Sequence, residues 1–160
     1  MQQASQFLPD EASTLAFGEA ISRAIAQSTV AGARLHVNLI GDLGAGKTTL
    51  VRGVLRGLGY TGRVKSPTYP LLETYKVGDL TLAHFDLYRL ETPEAFTEAG
   101  FDEYFVGPGI QFVEWPDRGG SLLPQADWQL SLLEHPEGGR MVTIDAETSA
   151  GATMLSRLCV

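Results

Sequence analysis

A single cysteine, Cys159, near the end of 160 residues leaves no partner for a disulfide within the chain and no thiol cluster for a metal. Missing too is any run of about 18 apolar residues that could span a bilayer. The first twenty residues, MQQASQFLPDEASTLAFGEA, lack the cationic start and apolar core of a secretory leader. A cytoplasmic location without membrane contact is the expectation. Basic residues are few, 12 Lys and Arg against 19 Asp and Glu for a net charge of −7, and they nowhere cluster as a phosphate-backbone footprint would. Direct, stable nucleic-acid binding is not expected. With no internal repeat and no low-complexity linker, 1–160 reads as a single domain, since domains run to roughly 100–200 residues.

What is present alternates between strand and helix periods. Asp10 and Glu11 open a pattern in which Leu15, Ile21, Ala24 and Ile25 recur at helical spacing, predicting an amphipathic helix over 10–27. RLHVNLIG (34–41) puts Leu35, Val37 and Leu39 in strand alternation and runs into a glycine-rich loop. Leu50, Val51, Val54, Leu55 and Leu58 then mark a second helix, stopped by Gly57 and Gly59. LLETY (71–75) and LTLAHFDLY (80–88) read as strands around a tight turn at 76–79. Thr92-Pro93-Glu94 reads as the start of a short helix ending near Gly100. GIQFVEW (109–115) has the apolar density of a strand buried on both faces. DWQLSLLE and RMVTID flank Pro136–Gly139 as a β-hairpin, and the tail 147–160 has no assigned role. The expected fold is a three-layer α/β domain, mostly parallel in the middle and antiparallel at one edge.

The stretch GDLGAGKTT (41–49) matches G-x-x-x-x-G-K-[ST] at every specified position, between strand and helix as the motif requires. Gly41, Asp42, Leu43, Gly44, Ala45 and Gly46 would curl so that backbone N–H groups converge on phosphate oxygens, with the following helix adding its positive end. Lys47 would reach the β- and γ-phosphates, the Thr48 hydroxyl would ligate Mg²⁺, and Thr49 closes the loop. A bare glycine-rich turn with a surface lysine is the plain alternative. The magnesium site also needs a carboxylate. Asp86, ending the apolar strand in LAHFDLYRL, is the first candidate, and Glu114 at the end of IQFVE is the second, because ligands of open α/β sheets lie at the carboxyl ends of strands. Glu114 would hold the metal, directly or through water, or orient the attacking water. Ser66 and Thr68 in KSPTYP (65–70) stand where nucleotide switches place a γ-phosphate sensor, although a plain turn fits the same residues.

The set GDLGAGKTTLVRG, SPTY, HFDLYRL and VEWPDR, in that order, with a terminal strand pair, resembles the bacterial TsaE (formerly YjeE) family across roughly residues 10–145. The resemblance implies a P-loop NTPase fold and a cytosolic ATP-hydrolysing protein that uses ATP and Mg²⁺ and works with the proteins TsaB and TsaD. TsaD would transfer threonylcarbamoyl to adenosine 37 of tRNAs reading codons that begin with A, so tRNA would be reached indirectly, through the complex. Carried over residue by residue, it implies roles for Lys47, Thr48, Thr68, Asp86, and Glu114 with Trp115, and places Thr14 near the nucleotide base. Other classes stay open on the residues themselves. A GTPase would carry N-K-x-D, which does not occur, and Asp86 is followed by Leu-Tyr-Arg. A small-molecule kinase should carry an arginine-rich lid, whereas Arg89, Arg118, Arg140 and Arg157 are dispersed. A module that keeps ATP without hydrolysing it is the remaining alternative, because a lone phosphate loop turns over slowly.

Overall fold

A computed structural model describes residues 2–27, 32–42 and 44–158, so Leu43 and Cys159 lie outside the described residues. Along the chain run β1 (Gln3–Leu8), α1 (Glu11–Ala26), β2 (Arg34–Ile40), α2 (Lys47–Gly57), β3 (Leu72–Val77), β4 (Leu80–Asp86), α3 (Pro93–Glu98), β5 (Gly109–Glu114), β6 (Trp128–Glu134), β7 (Arg140–Ala146) and α4 (Ser149–Ser156). Two 3₁₀ segments, Phe101–Phe105 and Pro116–Leu122, flank β5.

The strands form one seven-stranded sheet in the order β1-β7-β6-β2-β5-β4-β3. β6, β2, β5 and β4 are mutually parallel, while β3 pairs antiparallel with β4, and β7 antiparallel with both β6 and β1. Antiparallel pairing therefore borders the parallel core on both sides rather than one. The added strand, β1, has only Leu8 fully buried, so its sequence carries no clean alternation to announce it. The tail beyond the hairpin forms α4, capped by Thr148, whose Oγ1 accepts from Gly151 N–H at 2.9 Å.

Strand alternation divides the core. Leu35, Val37, Leu39, Leu82, Ile110, Phe112, Trp128, Leu130, Val142 and Ile144 face α1, α2 and α4, and Trp128 Nε1 donates to Gly151 O of α4 at 2.8 Å. Their neighbours Ala83, Phe85 and Val113 face the other way, against Phe96 of α3 and Phe101. α1 starts where Asp10 Oδ1 accepts from Ser13 N–H at 2.8 Å, so Asp10 is the cap one residue ahead of the helix rather than part of its first turn. It lies on α2 backbone to backbone, because a methyl on Gly53 would overlap the Leu15 carbonyl and one on Gly18 the Leu50 carbonyl. Replacing an exposed helical glycine by alanine gains about 1 kcal/mol; here overpacking of about 1–3 kcal/mol or more reverses the sign. Gly53→Ala is expected to lower the urea midpoint of unfolding, and a raised midpoint would contradict this packing.

Within β2, His36 is 6% exposed, meets Phe105 edge-on at 4.9 Å, and neither ring nitrogen makes a hydrogen bond. Burial pushes its pKa down from 6.5 to about 4, against the opposing charge of Asp127. The unfolded chain therefore takes up this proton first, and stability is full above pH 6.5 and falls as pH drops toward 4. At about 1.4 kcal/mol per unit the loss is about 3 kcal/mol. His36→Leu should remove that part of the pH slope measured by denaturant unfolding between pH 7 and 4.

Candidate active site

The glycine-rich loop leaves β2 at Ile40 and enters α2 at Lys47. Gly44 and Gly46 have φ of +82° and +102°, conformations open to glycine at little cost. No side chain caps α2 and its first turn carries no acid, so its leading N–H groups keep their capacity for an anion.

Lys47 does not project into solvent. Its Nζ donates to Gly41 O at 2.5 Å and stands 3.1 Å from Glu114 Oε1. Glu114 is brought there by parallel pairing, opposite Leu39 of β2 on one side and Asp86 of β4 on the other. Its second oxygen, Oε2, is 2.7 Å from Nε2 of His84, which has no exposed surface. Burial alone would raise the Glu114 carboxyl, but the hydrogen bond and charge of His84, then of Lys47, outweigh it and hold the pKa below its ordinary value.

Asp86 is affected in the opposite direction. Burial and the neighbouring Glu114 push its carboxyl up, countered by the Tyr88 N–H that donates to Oδ1 at 3.1 Å and by Lys47. Two carboxylates thus end adjacent strands: Glu114 has one oxygen on Lys47 and the other on His84, while among the described residues Asp86 has only the Tyr88 N–H as a hydrogen-bond partner. Among the described residues no cluster of three or more His, Cys, Asp and Glu is close enough to cage a metal. Magnesium commonly takes one or two carboxylates and completes its shell with water and phosphate oxygens. Asp86, with the Thr48 hydroxyl at the start of α2, suits such an ion.

The other expected residues have partners and cavities of their own. Thr68 Oγ1 pairs with Ser66 Oγ at 2.9 Å and joins the site through backbone, as Leu71 O accepts from Asp86 N–H at 2.9 Å. Trp115 is 46% exposed, packs on Tyr88 at 4.9 Å, and borders a cavity of about 700 Å³ also lined by Asn38, Asp42, Lys47, Asp117 and Gln129. Leu71 and Trp115 are non-glycine residues at positive φ, +67° and +55°. The segments after the switch-like loop and after Glu114 are held in strained conformations of the kind that gather at ligand sites. Thr14, buried on α1, lines a second cavity of about 290 Å³ with Gly44, Ala45, Gly46, Thr49 and Arg140. A methyl on Gly46 would come within 3.7 Å of its Cγ2. Two residues that the motifs did not single out stand at the centre. His84 shares a strand face with Asp86, two residues ahead of it, but that spacing alone does not mark it as a site residue. Nothing local in the sequence marks Arg140, which reaches the loop from β7.

Comparison with known proteins decides the family. The model for "Threonylcarbamoyl adenosine biosynthesis protein TsaE" matches residues 8–142. The chain belongs to the TsaE family. A relative from Haemophilus influenzae, a "tRNA threonylcarbamoyladenosine biosynthesis protein TsaE", is 40% identical over 156 residues, 98% of either chain. Another of that name from Bacillus subtilis is 40% identical over 127 residues, 78% of this chain and 79% of its own. The crystal structure of Bacillus subtilis YdiB superimposes with a TM-score of 0.80 at 30% identity, covering 98% of this chain and 94% of that one. This family shares the mixed α/β architecture in which the Lys47, His84 and Glu114 chain is set.

The chain predicts strong coupling. His84→Leu strands a buried carboxylate oxygen and should cost about 3 kcal/mol or more in unfolding free energy, whereas the same change made in a Glu114→Gln background should cost markedly less. Additive effects in that double-mutant cycle would show that the 2.7 Å contact carries no coupling.

Proposed function

We propose that this chain is the Mg²⁺-dependent, ATP-binding and ATP-hydrolysing subunit required for threonylcarbamoyladenosine formation in tRNA, acting in the cytoplasm on a complex of TsaB and TsaD. The fold in this reading is that of a P-loop NTPase. The observation that carries it is the position of Lys47, held at the mouth of a glycine loop between Gly41 O and Glu114, with Asp86 on the adjacent strand. An incoming anion would exchange these protein contacts for its own at the same nitrogen, so the lysine is already desolvated and aimed.

Thr48 and Asp86, with Glu114 directly or through water, would hold Mg²⁺, which when bound with ATP neutralises charge developing on the transferred phosphoryl group. Released from Lys47, Glu114 keeps His84 and has one oxygen free to orient a water. Thr14 and the smaller cavity would receive the nucleoside end, Thr68 would sense the phosphate end, and Trp115 would border it. Both ATP and ADP fit this assignment.

Dependence on partners is supported by the surface around the acids. Tyr69, Tyr88 and Trp115 are 80%, 50% and 46% exposed, and Arg89 and Arg118 stack on Tyr69 and Tyr88 at 4.7 and 5.2 Å. Tyrosine, tryptophan and arginine are the residues that dominate protein interfaces. The same stacking speaks against a kinase lid, since these arginines spread over exposed rings.

ATP turnover measured with and without purified TsaB and TsaD tests the reading. Weak hydrolysis alone and a clear increase with both proteins are expected, with Lys47→Ala losing about 10²-fold or more in either case. Undiminished hydrolysis by Lys47→Ala, or partner-independent phosphorylation of a small metabolite, would refute it.

A further inference from the structure

We propose that Arg140 is a positioning residue for the phosphate loop, fixing the direction of its peptide groups so that its amides stay available to an anion. This rests on the reading of 41–48 as a phosphate site and extends that site to the C-terminal hairpin. Arg140 Nη2 donates to Gly44 O at 3.0 Å, Nε to Ala45 O at 3.1 Å, and Nη1 to Gly139 O at 3.0 Å. One guanidinium thus grips two successive carbonyls of the loop from a strand about a hundred residues away in sequence.

The grip acts through peptide geometry. A trans peptide points its N–H opposite to its C=O, so holding the Gly44 and Ala45 carbonyls on the guanidinium turns the N–H groups of Ala45 and Gly46 away from it. Glycine at 44 and 46 leaves the loop free to flip those planes at little cost, and a flipped carbonyl would face and repel a phosphate oxygen. Permissive φ lets the loop curl but does not choose its direction; the guanidinium does. Ala45 N–H donates to Asp42 O at 3.0 Å and closes the turn, so of the two amides turned away from the guanidinium it is that of Gly46 that the grip offers directly to an anion.

The mount is rigid enough to impose this choice. Arg140 opens β7 in register with Leu8 of β1 and Glu134 of β6, so both neighbouring strands fix its backbone. Gly139 lies at φ +76° against the Leu8–Pro9 backbone, where a methyl would come within 2.6 Å of Leu8 O. Glu134 Oε1, on a side chain 79% exposed, is 3.8 Å from Nη2 and neutralises the guanidinium only weakly. The remaining positive charge adds to the attraction of the loop for phosphate. Lysine would keep the charge but lacks the planar fork that reaches several acceptors at once.

Equilibrium titration of the parent, Arg140→Lys and Arg140→Gln with Mg-ADP and with inorganic tripolyphosphate tests the assignment. Each variant should bind both probes about 10-fold or more weakly, lysine failing to rescue, and the loss should appear in ATP turnover chiefly as a raised KM. Circular dichroism confirms that the protein titrated is folded. Parent-like affinity in Arg140→Lys would overturn the need for the fork, and parent-like affinity in Arg140→Gln would overturn the role altogether. A lowered unfolding midpoint with unchanged affinity would make Arg140 a structural staple only. Loss of ADP affinity with tripolyphosphate affinity intact would mean direct contact with the nucleoside, which also overturns it. A parent that binds neither probe would instead sink the phosphate-loop reading, and this inference with it.

Discussion

Glu114 is the group on which the site turns. A carboxylate at 5% exposure is costly to bury alone, and it stays ionised because His84 and Lys47 each occupy one of its oxygens. Without the histidine the glutamate has one partner, and without the glutamate the buried lysine has only a loop carbonyl. The chain of three therefore stores Lys47 close to where phosphate would lie, in contacts a phosphate can replace. A buried ion pair is weak evidence for stability, and here its value is better read as readiness: the ammonium is stripped of water before any ligand arrives.

The sheet makes that chain possible. Parallel pairing of β2, β5 and β4 brings the carboxyl ends of three strands to one level, with Leu39, Glu114 and Asp86 side by side in register. A one-residue slip of β5 would turn Glu114 to the opposite face, toward Phe85 and Phe96, and put Val113 under Lys47. The apolar residues at 110 and 112 pay for the correct register, since they fit only against α1 and α2. Core packing and site geometry are thus one constraint: the same alternation that buries Phe112 aims Glu114.

That coupling explains which parts were legible in the sequence. The central strands, α1, α2 and the hairpin declared themselves through period and punctuation, and the acids at 86 and 114 through their place at strand ends. β1 escaped because an edge strand with one buried residue has little alternation to show, and α4 because eight residues with Gly151 and three hydroxyl residues make a weak helical signal. His84 was visible in principle as the same-face neighbour of Asp86, yet a lone histidine in an apolar strand is no signal until its partner across the ladder is known. Arg140 was not visible at all, because only the strand order, with β7 beyond β6 and β1 beyond β7, carries it to the loop.

The loop consequently stands between two kinds of control. On the side of β4 and β5 are groups that, on the proposed reading, would change partners: Lys47 would leave Glu114, and Asp86 would gain a cation. The strained backbone at Leu71 and Trp115 brings exposed aromatic residues to the edge of the same centre. On the side of β7 are groups that cannot move: the hairpin is paired on both flanks, and its turn is wedged against Leu8 and Pro9. A loop fixed on both sides could not exchange contacts, and one loose on both sides would have nothing to set the direction of its peptide planes. Rigid support behind and replaceable contacts in front is the arrangement that, on the proposed reading, would let a short glycine-rich segment select an anion and still report its presence to the surface around Tyr88 and Trp115.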